Sequence, residues 1–150
     1  MGIFFDLIVL RASSSADEHI WGAGEQFPHE TLNLKGRNLP IIAQEGGLGR
    51  GHKTITPAVN QFSKGSGGTE DSTYVASAHY LTSEDRSIFL ENTETAFFDF
   101  TADDAIELRL YASEMAAQVI HGTEPLELIE RFTDWTGRMV APPAWANQGA

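Results

Sequence analysis

The chain has 150 residues, 41% of them hydrophobic and 21% charged, with a formal net charge of -11 and a pI near 4.7. That length allows one domain with a true core, burying about two-thirds of its unfolded surface, and the composition excludes wholesale disorder. The acidity argues against sequence-independent binding to a polyanion, so no nucleic-acid partner is expected, and the lack of cysteine removes disulfides, thiolate zinc sites and cysteine nucleophiles together.

In chain order, Ile3 to Arg11 holds Phe4, Leu7, Ile8 and Leu10 with a single acid, Asp6, and predicts a largely buried strand. The run is far too short for a membrane span and has no basic leader, so a cytoplasmic chain without a membrane partner is expected. Ala12 to Asp17, with three consecutive serines, predicts a turn or mobile connector. Ile20 and Trp21 then open a strand that breaks at Gly22 and Gly24, where glycine can take dihedrals other residues avoid. Glu25, Gln26 and His29 follow directly. Leu32 and Leu34 alternate with Asn33 and Lys35 as in a short half-buried strand, and Leu39 to Ala43 forms another apolar run. That run empties into Gln44-Glu45 and the glycine-rich Gly46-Gly47-Leu48-Gly49-Arg50-Gly51. Twice, then, a strand delivers a carboxylate and an amide to a glycine-built corner, an arrangement that presents polar groups to a ligand or partner.

Arg50 to Asp71 reads as a long loop, with Pro57 and Lys64-Gly65-Ser66-Gly67-Gly68 and few apolar anchors; such loops are functional or mobile. Regular strand signals follow in Ser72 to Thr82, Ser87 to Asn92, Thr95 to Thr101, Ala105 to Ala112 and Ala116 to His121, separated by Glu84-Asp85, Asn92-Thr93 and Asp103-Asp104. This even spacing predicts an antiparallel sandwich. One helix breaks the pattern. Thr123 is the expected N-cap, and Leu126, Ile129, Phe132, Trp135 and Met139 recur every three to four residues over 124–139. Val140-Ala141-Pro142-Pro143 then forces an extended chain, with a strand expected to begin at Trp145.

The candidate ligand-binding residues are Glu25, Gln26, Arg37, Glu45 and Arg50. Residues 35–83 hold five Lys and Arg against three acids, whereas 84–138 holds thirteen acids against four basic residues, so a small anion is best held in the glycine-rich middle. A lone arginine beside carboxylates is more often half of a structural ion pair. The five histidines fall in different segments without a pair at helical ligand spacing, so no metal is expected. Gly47-x-Gly49-x-Gly51 is a weak phosphate-loop signal, because the β-branched run ending in Pro57 predicts no helix after it; no cofactor is expected. Phe97, Phe98 and Phe100 could stack on a sugar, but three aromatics in one strand are more often core.

His19-Ile20-Trp21-Gly22 with Gly24-Glu25-Gln26-Phe27, Gly36-Arg37, Pro40, Gly47-Leu48-Gly49-Arg50, Phe98-Asp99-Phe100, a helix ending Trp135-Thr136-Gly137-Arg138 and Pro142-Pro143-x-Trp145 follow one another in an order that carries a resemblance. Across roughly residues 17 to 150 the chain resembles the N-terminal domain of family 31 glycoside hydrolases, of the sulfoquinovosidase-like α-glycosidase kind. The family's E-Q-G is Glu45-Gly46-Gly47 here. The resemblance implies an all-β fold, an antiparallel β-sandwich of galactose-mutarotase-like type with one C-terminal amphipathic helix. It also implies that the family's two catalytic aspartates lie in a (β/α)8 barrel starting at about Trp145, and that strands precede this stretch in the family. The expected organisation is a sandwich over 1–140 with the helix 124–139, then 141–150 as a linker into a barrel.

The expected function is that of a non-catalytic domain that supports the barrel and closes one side of its sugar pocket, the parent activity being hydrolysis of α-glycosides. Its partner is then the catalytic barrel or a second copy, with carbohydrate as a further ligand. A free-standing carbohydrate-binding or assembly module competes with this reading. So does a self-contained hydrolase, since glycoside hydrolysis takes two carboxylates about 5–10 Å apart and Glu25 and Glu45 are the acids in glycine-rich corners.

Overall fold

The structure, a computed structural model, describes residues 6–25, 31–41, 53–64, 66–68, 73 and 75–147. Two four-stranded antiparallel sheets face one another. One sheet is built from β1 (Ile8–Ser13), β7 (Ala105–Leu110), β6 (Ala96–Asp99) and β3 (Asn38–Pro40), in that spatial order. The other runs β2 (Ile20–Gly24), β4 (Ala76–Thr82), β5 (Arg86–Leu90) and β8 (Ala117–His121). Period-two alternation puts Leu108, Leu110 and Phe98 of the first sheet against Tyr80, Ile88 and Leu90 of the second. Phe98 and Phe100 are fully buried and meet the Tyr80 ring edge-on at 5.0 and 5.2 Å. Of the three phenylalanines only Phe97 faces outward, against Tyr111.

Helix α2 (Pro125–Thr136) covers the outer face of the second sheet. Leu128 is fully buried, and Phe132 stacks on the His79 ring at a centroid distance of 4.0 Å and touches Phe89. The cap is Glu124 rather than Thr123. Thr123 still serves the helix start: its N–H and Oγ1–H both donate to the Glu127 carboxylate, at 2.7 and 2.9 Å, which ties the residue before the cap to the first turn. The helix stops at Gly137, whose φ of 94° ends it short of the expected 139.

Several local expectations are corrected. Residues 50–71 are not simply loop, because a helix α1 (Ile55–Phe62) lies within them. Pro57 is the third residue of its first turn, where no backbone N–H has a helical partner to lose. The region of Leu32 and Leu34 is a turn, not a strand: Arg37 N–H donates to Leu34 O, with Gly36 at φ 86°, as a type II turn requires. Accordingly Leu34 is buried and Leu32 is 70% exposed. β1 is mostly exposed, because it is an edge strand. Of Ala12 to Asp17, Ala12 and Ser13 belong to β1 and the remainder is the expected turn, closed by Glu18 N–H donating to Ser15 O, with Ser14 bonded into the structure described below. After the prolines, Ala144–Asn147 is a 3-10 turn where a strand was expected. No helix among the described residues is long and apolar enough to cross a membrane.

Candidate functional site

The strand β2 positions the first predicted site residue. Gly22, Ala23 and Gly24 all have positive φ, at 116°, 58° and 96°, and the register against β4 shifts between the two glycines. The close approach explains the residue types. A Cβ on Gly24 would stand 1.9 Å from the Val75 carbonyl oxygen, and one on Gly22 would stand 2.6 Å from that of His79. The bulge re-aims the chain at the sheet's end, where Glu25 N–H donates to Val75 O at 2.9 Å and Glu25 O accepts from Thr73 Oγ1 at 2.6 Å. Glu25 is thus fixed by its main chain and its side chain is exposed.

Beside this corner the sandwich end forms a cleft of about 410 Å³, lined by Ile41, Ala76, Leu90, Asn92 and Glu94 among others. Ile41 ends the described part of the β3 run and Ala76 pairs with Gly24, so β2 and β3 both end at this cleft. The rim is ordered. Asn92 donates to Glu94 and to the Glu114 carbonyl, both at 3.1 Å, and accepts from Ala116 N–H at 2.8 Å. The Asn92 amide and the neighbouring main-chain N–H groups hold the Glu94 carboxyl below its usual range. An apolar floor with amide and carboxylate on the rim suits hydrogen bonding to hydroxyls over an apolar ring face.

Arg37 is elsewhere. Its carbonyl accepts from Phe100 N–H, and Leu34 of its turn bonds Ile20, the first residue of β2. It therefore lies near the Ile20 end of the five-residue strand β2, at the opposite end of the sandwich from Glu25. Gln26, Glu45 and Arg50 lie outside the described residues, as do Gly46 to Gly51. Among the described residues no group of three His, Cys, Asp or Glu is placed to hold a metal.

The structure also shows a polar centre that sequence reading missed. Glu18 is fully buried, and the Arg86 guanidinium grips both its oxygens at 2.8 Å while also donating to Ser13 O. Burial pushes the Glu18 carboxyl up, but hydrogen bonds from Ser14, Thr82 and Arg86 and the Arg86 charge outweigh it and hold the carboxyl low. Lys35 Nζ donates to Ser14 Oγ at 2.7 Å and closes the cluster. The group ties β1 to β5 across the two sheets. On the outer face of the first sheet, Asp99 accepts from Thr101 N–H and Oγ1 and pairs with Arg109 at 2.8 Å. Its burial is likewise outweighed, so its carboxyl also titrates low.

The described residues thus form a mainly antiparallel β-sandwich with an exposed apolar stripe on its last helix and a cleft at one end. No protein-family model matches the chain. It is 27% identical over 141 residues to the sulfoquinovosidase of Agrobacterium fabrum and 26% identical over 142 residues to that of Escherichia coli. Those matches cover 94% and 95% of this chain and 21% of each relative. A solved structure of a family 31 sulfoquinovosidase from E. rectale, in complex with an aza-sugar inhibitor, superposes with a TM-score of 0.85 at 27% identity, over 95% of this chain and 21% of that one. The chain is thus similar over nearly its whole length to the N-terminal β-domain of family 31 glycoside hydrolases of the sulfoquinovosidase kind, and it spans about a fifth of the length of these relatives.

Proposed function

We propose that residues 1–140 are the accessory β-domain of an α-glycosidase, that 141–150 lead into a catalytic barrel, and that this domain supports the barrel and closes one side of its sugar pocket. The observation that carries this reading is the one-fifth coverage of sulfoquinovosidases at near-complete coverage of this chain. The surface agrees with it: Leu126 and Ile129 on α2 are 67% and 41% exposed, and Met139, Val140 and Trp145 beyond it are 89%, 87% and 74% exposed. Such a patch at the end of a domain is what a packed neighbour would cover. In this reading the Glu25 end of the sandwich, with Gln26, Glu45 and Arg50, faces the sugar, and α-sulfoquinovosides are the first substrates to try. A cytoplasmic location belongs to the same proposal and is tested by cell fractionation.

The chain alone is expected to turn over no chromogenic α-glucoside, α-xyloside or α-sulfoquinovoside. Turnover that disappears in both Glu25→Gln and Glu45→Gln would replace this reading with a self-contained hydrolase. A second reading, a carbohydrate-binding module, is favoured by the ordered Asn92 and Glu94 rim of the cleft. Saturable chemical-shift changes at Ile41, Ala76 and Asn92 on adding sulfoquinovose would establish it.

A further inference from the structure

His79 sits between the second sheet and the helix that covers it. Cross-strand partners share a face, so His79, opposite Phe89, points away from the core toward which the neighbouring pair Tyr80 and Ile88 turns. There it stacks on Phe132 of α2 at a centroid distance of 4.0 Å and an interplanar angle of 14°, and the Phe89 ring stands edge-on to it at 6.2 Å. Its Nε2 lies 2.6 Å from Oγ of Ser87, a fully buried hydroxyl. The half-buried imidazole is thus flanked by two rings and bonded to one neutral partner. Burial pushes its pKa below the usual histidine value.

The helix rests on few other anchors. Leu128 is its one fully buried residue, and Phe132 and Trp135 reach the sheet through ring contacts with His79 and Phe89. We propose that His79 makes α2 a pH-sensitive latch: the helix lies on the second sheet while the imidazole is neutral and lifts from it when the imidazole is protonated, carrying the chain beyond Gly137 with it. This latch is independent of whether the chain serves a barrel.

The chemistry runs one way. A neutral imidazole has one N–H and one acceptor nitrogen, and the Ser87 hydroxyl suits either; the imidazolium has two N–H donors and a full charge, and Ser87 Oγ answers one donor. The face of Phe132 attracts a cation, but a desolvated charge without a counter-ion loses more than that attraction returns. The charged groups on the surrounding elements are engaged elsewhere or turned away. Glu91, just past β5, accepts from Gln118 of β8. On α2, Glu127 accepts from Thr123 and Arg131, and Asp134 accepts from Arg138, while Glu124 and Glu130 are exposed. Arg86 of β5 and His121 of β8 share the parity of Ile88 and so face the other side of the sheet, and His19 lies against Trp21 of β2. The shift at His79 has burial as its cause, and none of these charges offsets it. Since the docked value lies below the undocked one, near 6.5, release takes up a proton. Docking is therefore at full strength above about pH 6.5 and is lost as pH falls from there through the docked value.

A twelve-residue helix is marginal alone, so release reads as loss of amide protection. In residues 1–150, from about pH 7.5 down to about pH 5, protection of the amides of Leu128 to Trp135, corrected for intrinsic exchange, should fall severalfold, while that of Ile106 to Leu110 in β7 stays level. His79→Phe keeps a ring on Phe132 and has no charge to gain, so it should abolish the response; His121→Phe, on the other face of the sheet, should leave it intact. Titration of the His79 imidazole by NMR in the unsubstituted chain needs no variant to fold: it should titrate below 6.5, over the pH range in which α2 loses protection. Protection of α2 that stays level, a response that survives His79→Phe or that β7 shares, or an imidazole that titrates at or above 6.5 would each overturn the proposal.

Discussion

The two ends of the sandwich use the same residue types to opposite effect. At one end Glu18 is sealed from water and its carboxylate is fully occupied by Arg86, Ser14 and Thr82. At the other end Glu25 is held by its main chain alone among the described contacts, and its carboxylate is exposed beside an open cleft. A carboxylate spent on structure is buried and answered by its own chain. One available to a ligand sits on a rigid backbone with its head in water.

That contrast can be broken at its scaffold first. Gly24→Ala would drive a methyl group into the Val75 carbonyl at a positive φ, and a loss of more than about 4 kcal/mol, read as collapse of the urea unfolding transition, is expected. The next largest effect belongs to the sealed end. Arg86→Met leaves Glu18 buried without its cation and should cost about 3–5 kcal/mol, read as a fall in Tm.

The acid limb of stability sharpens the same point. The folded pKa of Glu18 lies below its unfolded value, so its contribution is complete above the unfolded carboxylate pKa, about 4.3, and is lost as pH falls through the folded value. Glu18→Gln should therefore flatten the dependence of Tm on pH below that point, and an unchanged acid limb would show that Glu18 does not govern it. The smallest expected effect is at the open end. Glu25→Ala should change stability by about 0.5 kcal/mol or less, because its described bonds are main-chain bonds that alanine retains. A larger loss would mean that the Glu25 carboxylate is structural after all.

What could be read from sequence follows from range. The strands from Ala76 to His121 were legible because each writes a period of two into its own residues, and α2 because Leu126, Ile129, Phe132 and Trp135 repeat with the helix, although the residue it buries is Leu128. Pro57 misled, since a breaker in mid-helix is harmless in a first turn. The pairing of Glu18 with Arg86 spans 68 residues and is fixed by which strands become neighbours, which no local pattern records. The exposure of β1 has the same origin: Ile8, Val9 and Leu10 describe an apolar strand but not that it would be outermost. At the candidate site, the Gly22 and Gly24 corner and Glu25 were visible as composition, while the Asn92 and Glu94 rim came from a turn that sequence reading treated only as a connection.

The pairing of β1 with β7 also carries a consequence in time. Ser13 is opposite Ala105 and Ile8 is opposite Leu110, so on the ribosome β1 must wait for about ninety further residues before β7 exists. At 5–20 residues per second that is roughly 5 to 20 s, and closing so long a loop carries an entropic cost that only the rest of the sandwich can offset. Throughout that interval an apolar six-residue strand is exposed to the cell. Expression yield of this chain should therefore depend on translation speed and on chaperones that hold extended apolar segments, more than its final stability would suggest.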